Sequence, residues 1–443
     1  MSQPIEAFKN SFKIPELKQR IIFTVSMLAI YRLGAHVPTP GVDGGALSEY
    51  LGKEGGFLQF YDLFAGGAFS QATIFALGIM PYITASIIMS LLVVVVPALE
   101  ALQKQGAEGQ KKINDYTRYG TIILCVVQSL VVAGYLKSVD AQTPILQSSG
   151  IGFYLMCILT FTTGTAFIMW LGERISEHGV GNGISLIIFT SIISSMPAAA
   201  AGILALIRSN ELNLWETGLM AAIMVIVVAG TILITTGQRR IPVQYPKQVK
   251  GRKVYGGGRN YLPLRVNQAG VIPIIFASSI LMLPGMMAPS IDNALFQKIF
   301  GDWLSMDGLL YNVVYAALIM FFCFFYTAII FNPIEMADNM KKHGSVIMGV
   351  RPGKATAEYL HKTMTRITLV GSIFLVVIAL IPTLVNTRLG IQNFMISSFF
   401  GGTSLLILVG VALDTVKQME QHLIMRNYDG FSPKGGKIRS RRG

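Results

Sequence analysis

Charge is scarce in this 443-residue chain: 13% of its residues are Asp, Glu, Lys or Arg, 52% are hydrophobic, and the mean hydropathy is +0.55. That composition excludes an ordinary soluble domain. Cysteine is scarcer still. Cys125, Cys157 and Cys323 fall inside apolar runs without CxxC spacing, so neither a disulfide framework nor a zinc site is indicated and they read as packing residues. Catalytic signatures are missing as well. The five histidines form no H-E-x-x-H, and no G-x-S-x-G elbow occurs. The nearest phosphate-loop match, GVRPGKAT, sets Gly349 and Gly353 too close and puts Ala355 after Lys354, where a magnesium-binding hydroxyl belongs. No enzyme is expected, and no metal or cofactor.

What is present is a succession of long apolar runs. Crossing roughly 30 Å of hydrocarbon takes about 20 apolar residues. Spans are predicted near 21–37, 72–96, 118–136, 151–171, 183–207, 217–236, 268–288, 309–331, 367–385 and 394–416, ten in all. The first run carries Arg32 and lacks an A-x-A-like cleavage site, so it reads as a span and not as a removable signal. The fold class expected is an all-α polytopic membrane protein.

Charges within the spans are nearly missing too. A charge at mid-bilayer costs at least roughly 2.5–3.5 kcal/mol, so its presence points to a use. Arg32 lies near the outer end of its span, where it can snorkel, and Asp414 near the inner end of the last. No Asp, Glu or His chain suggests a proton or sodium relay.

The positive charges that do occur are sorted by side. The N-tail through Arg20 holds 4 Lys/Arg, 97–118 holds 4, Arg174 is 1, 237–265 holds 8, 332–366 holds 6 and the C-tail holds 7. The opposite set is Lys53, Lys137, Arg208, Lys298 and Arg388. The two sets alternate from span to span, so the positive-inside rule predicts both termini and the long basic loops in the cytoplasm. Trp170, Trp215 and Trp303 fall at or beyond span ends, as interfacial rings do. The basic loops read equally as topology signal beside anionic lipid and as a surface for an acidic or nucleic-acid partner.

Interruptions of the apolar runs carry the remaining information. FLQFYDLFAGGAFS, residues 57–70, is apolar but too short to cross, and it is broken by Gly66 and Gly67. Irregular backbone at membrane depth is tolerable only inside protein or a water-lined cavity, so a re-entrant half-helix is expected. Gly78 and Pro81 interrupt the second predicted span, and Gly270 with Pro273 the seventh, five spans apart. Matching interruptions point to a five-plus-five internal repeat, inverted because each half is odd, although glycine and proline are also simply common in membrane helices.

Six ordered stretches, FAGGAFSQATIFALGIMPYITASII, DYTRYGT, MWLGERISEHGVGNGISLIIF, LPLRVNQAGVIPIIFASS, FNPIEMADNMKKHGSVIMGVRPGKAT and FFGGTSLLI, make the chain resemble the SecY family over essentially its whole length. The resemblance implies two pseudo-symmetric five-helix halves around an hourglass pore: an N-tail 1–20, a first half 21–207 containing a plug at 57–70, a second half 208–416, and a basic C-tail 417–443. It implies a gated channel passing unfolded secretory polypeptides across the bacterial cytoplasmic membrane, with a lateral gate between spans 2–3 and 7–8 that releases membrane segments into lipid. Matching positions are Ile79, Ile83, Ile184, Ile188, Ile275 and Ile407 for the pore ring; Phe60, Leu63, Phe64, Gly66 and Gly67 for the plug; Gln128, Ser278 and Ser279 for the gate; and Arg252, Lys253 and Arg351 for docking. Met348, where the family usually has proline, and the run Gly256 to Gly258, expected to loosen the tip of the first loop, are departures.

The partners implied are SecE, SecG, the SecA ATPase, the ribosome, signal peptides, unfolded preproteins and anionic lipids. A hydrogen bond from Gln128 across the gate would contribute about 0.6 kcal/mol, with roughly 1.7 as a maximum, unless the amide bonds within its own half. Two other readings remain open at this point: an inverted-repeat transporter of small solutes, and a membrane-embedded enzyme.

Overall fold

The computed structural model describes residues 15–54, 57–140, 143–146, 150–209, 213–244, 247–250, 253–256, 259–287, 308–389 and 402–429. Trp303, Lys298, Arg252, most of the N-tail and the end of the C-tail lie outside the described residues, as does 394–401 of the tenth predicted span.

The first half is built from α1 (Pro15–Gly34), α2 (Gly44–Glu54), α3 (Phe57–Ala65), α4 (Met80–Val95), α5 (Pro97–Lys104), α6 (Ala107–Asp140), α7 (Ile151–His178) and α8 (Gly183–Arg208). Local chemistry fixes several ends. Asn182 starts α8, its Oδ1 accepting from the amides of Ile184 and Ser185. Val96 is extended because a residue before proline avoids the helical region, and the chain there turns by 97° from α4 into α5.

The second half contains α9 (Leu214–Thr236), whose first turn is closed by a capping box between Asn213 and Glu216, followed by four strands. It continues with α10 (Ile272–Met287), α11 (Leu309–Ile330), α12 (Pro333–Lys342), the short strand β5 (Val346–Ile347), α13 (Lys354–Leu389) and α14 (Thr403–Asp429).

Six helical stretches are long and apolar enough to cross a membrane, seven if α4 and α5 count as one bent span. Ten helices of spanning length are therefore not what the described residues contain. The predicted spans 21–37 and 268–288 and the described part of 394–416 map onto α1, α10 and α14. Two of these are polar at one end, and α10 has only 16 residues. The second predicted span is also shorter than expected: 70–79 form turns and the helix starts at Met80. Those turns survive because their main-chain groups find partners, Thr39 N donating to Ala72 O at 2.8 Å and Ile74 N to Val37 O at 3.0 Å.

Helices α4 and α10 begin alike. Each has 16 residues, each carries proline at its second position, and each follows a left-handed glycine by two residues, Gly78 (φ 55°) and Gly270 (φ 65°). These two helices pack on each other, and α8 packs on α14, so one apolar cluster runs through both halves. Trp215 is exposed at the start of α9, and Trp170 is exposed about two turns before the end of α7, its ring 5.7 Å from the Arg174 guanidinium.

The basic segment 237–265 is not part of an all-α fold. It forms β1 (Gln238–Gln244), β2 (Lys247–Lys250), β3 (Lys253–Gly256) and β4 (Arg259–Arg265), with sheet order β4-β1-β5 and a separate β2-β3 hairpin. Alternation explains it: Ile241 and Val243 turn inward while Arg239, Arg240 and Gln244 face out. The inward face packs with Leu264, Phe331, Ile347, Leu360 and Met364 in a small separate core. Gly256 is paired with Lys247, at the opposite end of the β2-β3 pairing from Lys250 and Lys253, while Gly257 and Gly258 lie outside the described residues.

Ile241, 1% exposed, anchors this core. Ile241→Ala is expected to cost the ribbon about 2–5 kcal/mol. Limited proteolysis should then cut within 238–265, while cleavage inside the helical bundle stays at the parent rate.

Candidate functional site

The nine residues of α3 span about 14 Å, less than half the hydrocarbon thickness. The helix enters and ends inside protein. Leu63 is 5% exposed and Phe64 1%, and α3 packs on α8 and α10; the Phe60 side chain lies outside the described set. Left-handed Gly66 (φ 69°) and Gly67 (φ 84°) turn the chain back. At Gly66 a Cβ would stand 2.9 Å from Ser191 Cα, so glycine is required by space as well as by φ.

Asp62 went unnoticed in the sequence, flanked as it is by Tyr61 and Leu63. It is buried, and its Oδ1 accepts from the amides of Phe69 and Ser70, each at 3.0 Å, while its main-chain carbonyl accepts from Gly67 N at 3.0 Å. Burial pushes its carboxyl above the usual carboxylate range, and the Ser70 and Phe69 hydrogen bonds act against that shift. Tyr61 Oη donates to Leu77 O at 2.6 Å, which fixes the end of the return segment. Arg32 does not snorkel to the interface as expected. Its Nη1 donates to Gly66 O at 2.7 Å, because an unserved carbonyl at a helix end lies within its reach.

The six isoleucines come from α8, α10, α14 and the start of α4. Ile79, Ile83, Ile188, Ile275 and Ile407 are buried in one cluster that also holds Phe64, and Ile184 is partly buried against it. Leu63 faces Ile192, Leu405 and Leu408 across a gap of about 10 Å³, no larger than a single water needs.

At the α4–α10 contact the expected polar latch takes a different form. Gln128, Ser278 and Ser279 are all buried, but among the described residues no hydrogen bond joins Gln128 to either serine. The serines are served closer to home: Ser278 Oγ donates to Ile274 O or Ile275 O, and Ser279 Oγ to Ile275 O at 2.7 Å. What crosses the seam is Ser279 Oγ at 4.0 Å from Met80 Sδ, and the Tyr326 hydroxyl beside Ser90. Both are weak contacts.

An ion cluster was likewise not anticipated. Arg118 on α6 forks onto Glu173 of α7, Nε to Oε1 and Nη2 to Oε2 at 2.8 Å each, and its Nη1 meets Asp115 at 2.9 Å. The signal was available in DYTRYGT and MWLGERISEHG, which place one charge of each sign at adjoining span ends.

On the basic face, Arg351 is exposed in the turn before α13, where its carbonyl accepts from Thr356 Oγ1 at 2.8 Å. Met348 is also exposed. Lys253 opens β3, paired with Lys250, but its side chain lies outside the described set.

Taken together, these features define a polytopic helical membrane protein with a re-entrant helix packed at its centre and a basic β-ribbon on one face. The family model that matches residues 73–416 is that of SecY. Protein translocase subunit SecY of Thermotoga maritima is 42% identical over 99% of this chain and 100% of its own length, and that of Streptomyces scabiei is 46% identical over 96% and 99%. That of Escherichia coli K12 is 42% identical over 95% and 94%.

Among solved structures, a protein-conducting channel superposes with a TM-score of 0.67 over 96% of this chain and 98% of its own, at 19% identity. A SecY structure whose plug domain is described as stabilising the closed state and maintaining a membrane seal has a TM-score of 0.64 over the same shares, also at 19% identity. Canine Sec61 in a ribosome–channel complex has a TM-score of 0.60, at 16% identity over 96% and 98%. The chain belongs to the SecY family.

Glu173→Gln keeps the shape of the Arg118 clasp and removes its charge. With both partners partly exposed, the expected loss is about 1 kcal/mol. It should register as a lower thermal midpoint in detergent at low ionic strength, with the difference from the parent shrinking at high salt.

Proposed function

We propose that the chain is the channel subunit of a protein translocase, passing unfolded polypeptide through the isoleucine cluster with α3 as its plug and the α4–α10 seam as its lateral gate. The observation that carries the reading is the seating of α3: a helix too short to cross, buried in the same apolar cluster as five of the six ring isoleucines. An apolar waist resists ions by dewetting, and its flexible side chains can yield around a passing chain. The small-solute transporter reading finds no support in the family to which the chain belongs, and no His, Cys, Asp and Glu cluster able to hold a metal occurs among the described residues.

Energy then comes from partners. SecA or the ribosome would dock on the ribbon and on the turn carrying Arg351, with the basic pair Arg252 and Lys253 contributing charge. SecE and SecG would complete the complex, and anionic lipids would meet the basic side. The alternating Lys/Arg distribution supports a bacterial inner-membrane orientation with both termini cytoplasmic and with halves 21–207 and 208–416. The matched Gly–Pro starts of α4 and α10 support the repeat. On this reading the chain itself catalyses nothing.

Vesicles containing the chain with SecE and SecA should import a secretory precursor on addition of ATP. No import, under conditions where the Escherichia coli complex works, would reject the reading. Arg351→Glu should lower SecA-driven import roughly tenfold or more while leaving the amount of membrane-inserted protein unchanged. Import at the parent rate would remove the docking role.

A further inference from the structure

Ala65 and Gly66 end the plug helix, and their carbonyls are ones that the helix itself cannot serve. Three donors converge on them from two other helices. Arg32 Nη1 of α1 reaches Gly66 O at 2.7 Å, Ser194 Oγ of α8 lies 3.3 Å from the same oxygen, and Tyr31 Oη of α1 lies 3.4 Å from Ala65 O. Tyr31 Oη also shares a hydrogen bond with Ser191 Oγ at 2.7 Å, which ties α1 to α8 directly behind the turn. A cation at this end meets the negative pole of the helix dipole. On the other side of the turn Asp62 gathers the amides of Gly67, Phe69 and Ser70. The guanidinium takes the orphan acceptors and the carboxylate side takes the orphan donors, and among the described residues the two side chains form no ion pair with each other.

We infer that Arg32 is a positioning residue that holds the plug seated by capping α3 from the first span. The inference rests on the plug reading given above. Because the cap spans α1, α3 and α8, it breaks when α3 leaves its seat or when α1 shifts against α8. A released Arg32 still has somewhere to go: half-buried near the outer end of its span, it can turn to interfacial water or headgroups. Opening therefore strands Gly66 O but no charge, which suits a closure that must be reversible.

Amide hydrogen exchange over 66–70, in the complex with SecE in lipid nanodiscs, reads the cap directly. Ion leak through precursor-free bilayers reads its consequence. Arg32→Met should speed exchange of the Gly67, Phe69 and Ser70 amides roughly tenfold or more, and should give a leak between that of the parent and that of a chain lacking 60–69. Arg32→Lys, which keeps one donor and the charge, should restore most of both. Ser194→Ala should speed the same amides by a smaller factor, and it serves as the test if Arg32→Met does not fold.

Unchanged exchange in Arg32→Met, or in Ser194→Ala where that stands in, overturns the cap. Faster exchange with parent-level leak, alongside a leaky deletion, overturns its role in seating the plug. If the chain lacking 60–69 is itself as tight as the parent, the sealing reading fails, and the cap is then judged on exchange alone.

Discussion

A main-chain carbonyl or amide inside an apolar bundle has no water to bond, and the stretch from Gly66 to Ile79 is where that constraint shapes this molecule. A helix satisfies its own backbone; a turn at membrane depth does not. Some turns in this stretch close on themselves, as Thr73 N does on Ala68 O and Gly78 N on Phe75 O, and others are met from outside it. Arg32 and Ser194 serve Gly66 O, Asp62 serves three amides of the turn, Tyr61 serves Leu77 O, and the 37–39 loop exchanges bonds with Ala72 and Ile74. The re-entrant element is thus a knot of non-local hydrogen bonds wrapped in apolar contacts. That combination lets an irregular segment sit where only a full span would otherwise be stable.

The waist and the seam are built on the opposite principle. Where the plug collects hydrogen bonds, the isoleucine cluster has none to offer; among the described residues a thioether contact joins α4 to α10, and the Tyr326 hydroxyl beside Ser90 joins α4 to α11. Bonds of this kind between membrane helices average about 0.6 kcal/mol. Ser278 and Ser279 are each satisfied by their own helix, so separating α4 from α10 leaves neither hydroxyl unpaired. Directional bonding is concentrated away from the seam, at the α6–α7 clasp of Arg118 and Glu173 and around the plug turn.

Much of this was legible in the residues. Apolar run length located the helices, Gly66 and Gly67 marked the re-entrant turn, and the paired Gly–Pro interruptions marked two helices that do start alike. Hydropathy could not see where a helix begins inside an apolar run, because turns satisfied by tertiary bonds are as apolar as helix; hence 72–79 read as span. It also could not see Asp62, a single carboxylate among aromatics whose partners come from residues seven and eight positions on. The ribbon was hidden by charge: Arg and Lys dominate 237–265, and only the alternation at Ile241 and Val243 shows the strand. The ring isoleucines were beyond spacing altogether, since isoleucine one turn apart occurs on any membrane helix, and they were reached only through resemblance.

The likeness of α4 and α10 has a mechanical consequence. A left-handed glycine followed by proline in the first turn opens each helix; Ile79, at the start of α4, has no side-chain capping bond, while just before α10 Asn267 Nδ2 donates to Gly270 O at 3.0 Å. The start of each helix is therefore fixed by backbone geometry and apolar packing, not by polar ties to the opposite half. Ile79 and Ile83 sit at the start of one such helix and Ile275 at the start of the other, while Ile184 and Ile188 are carried on α8 and Ile407 on α14. The turn after α3, by contrast, is tied by side-chain bonds to α1 and α8.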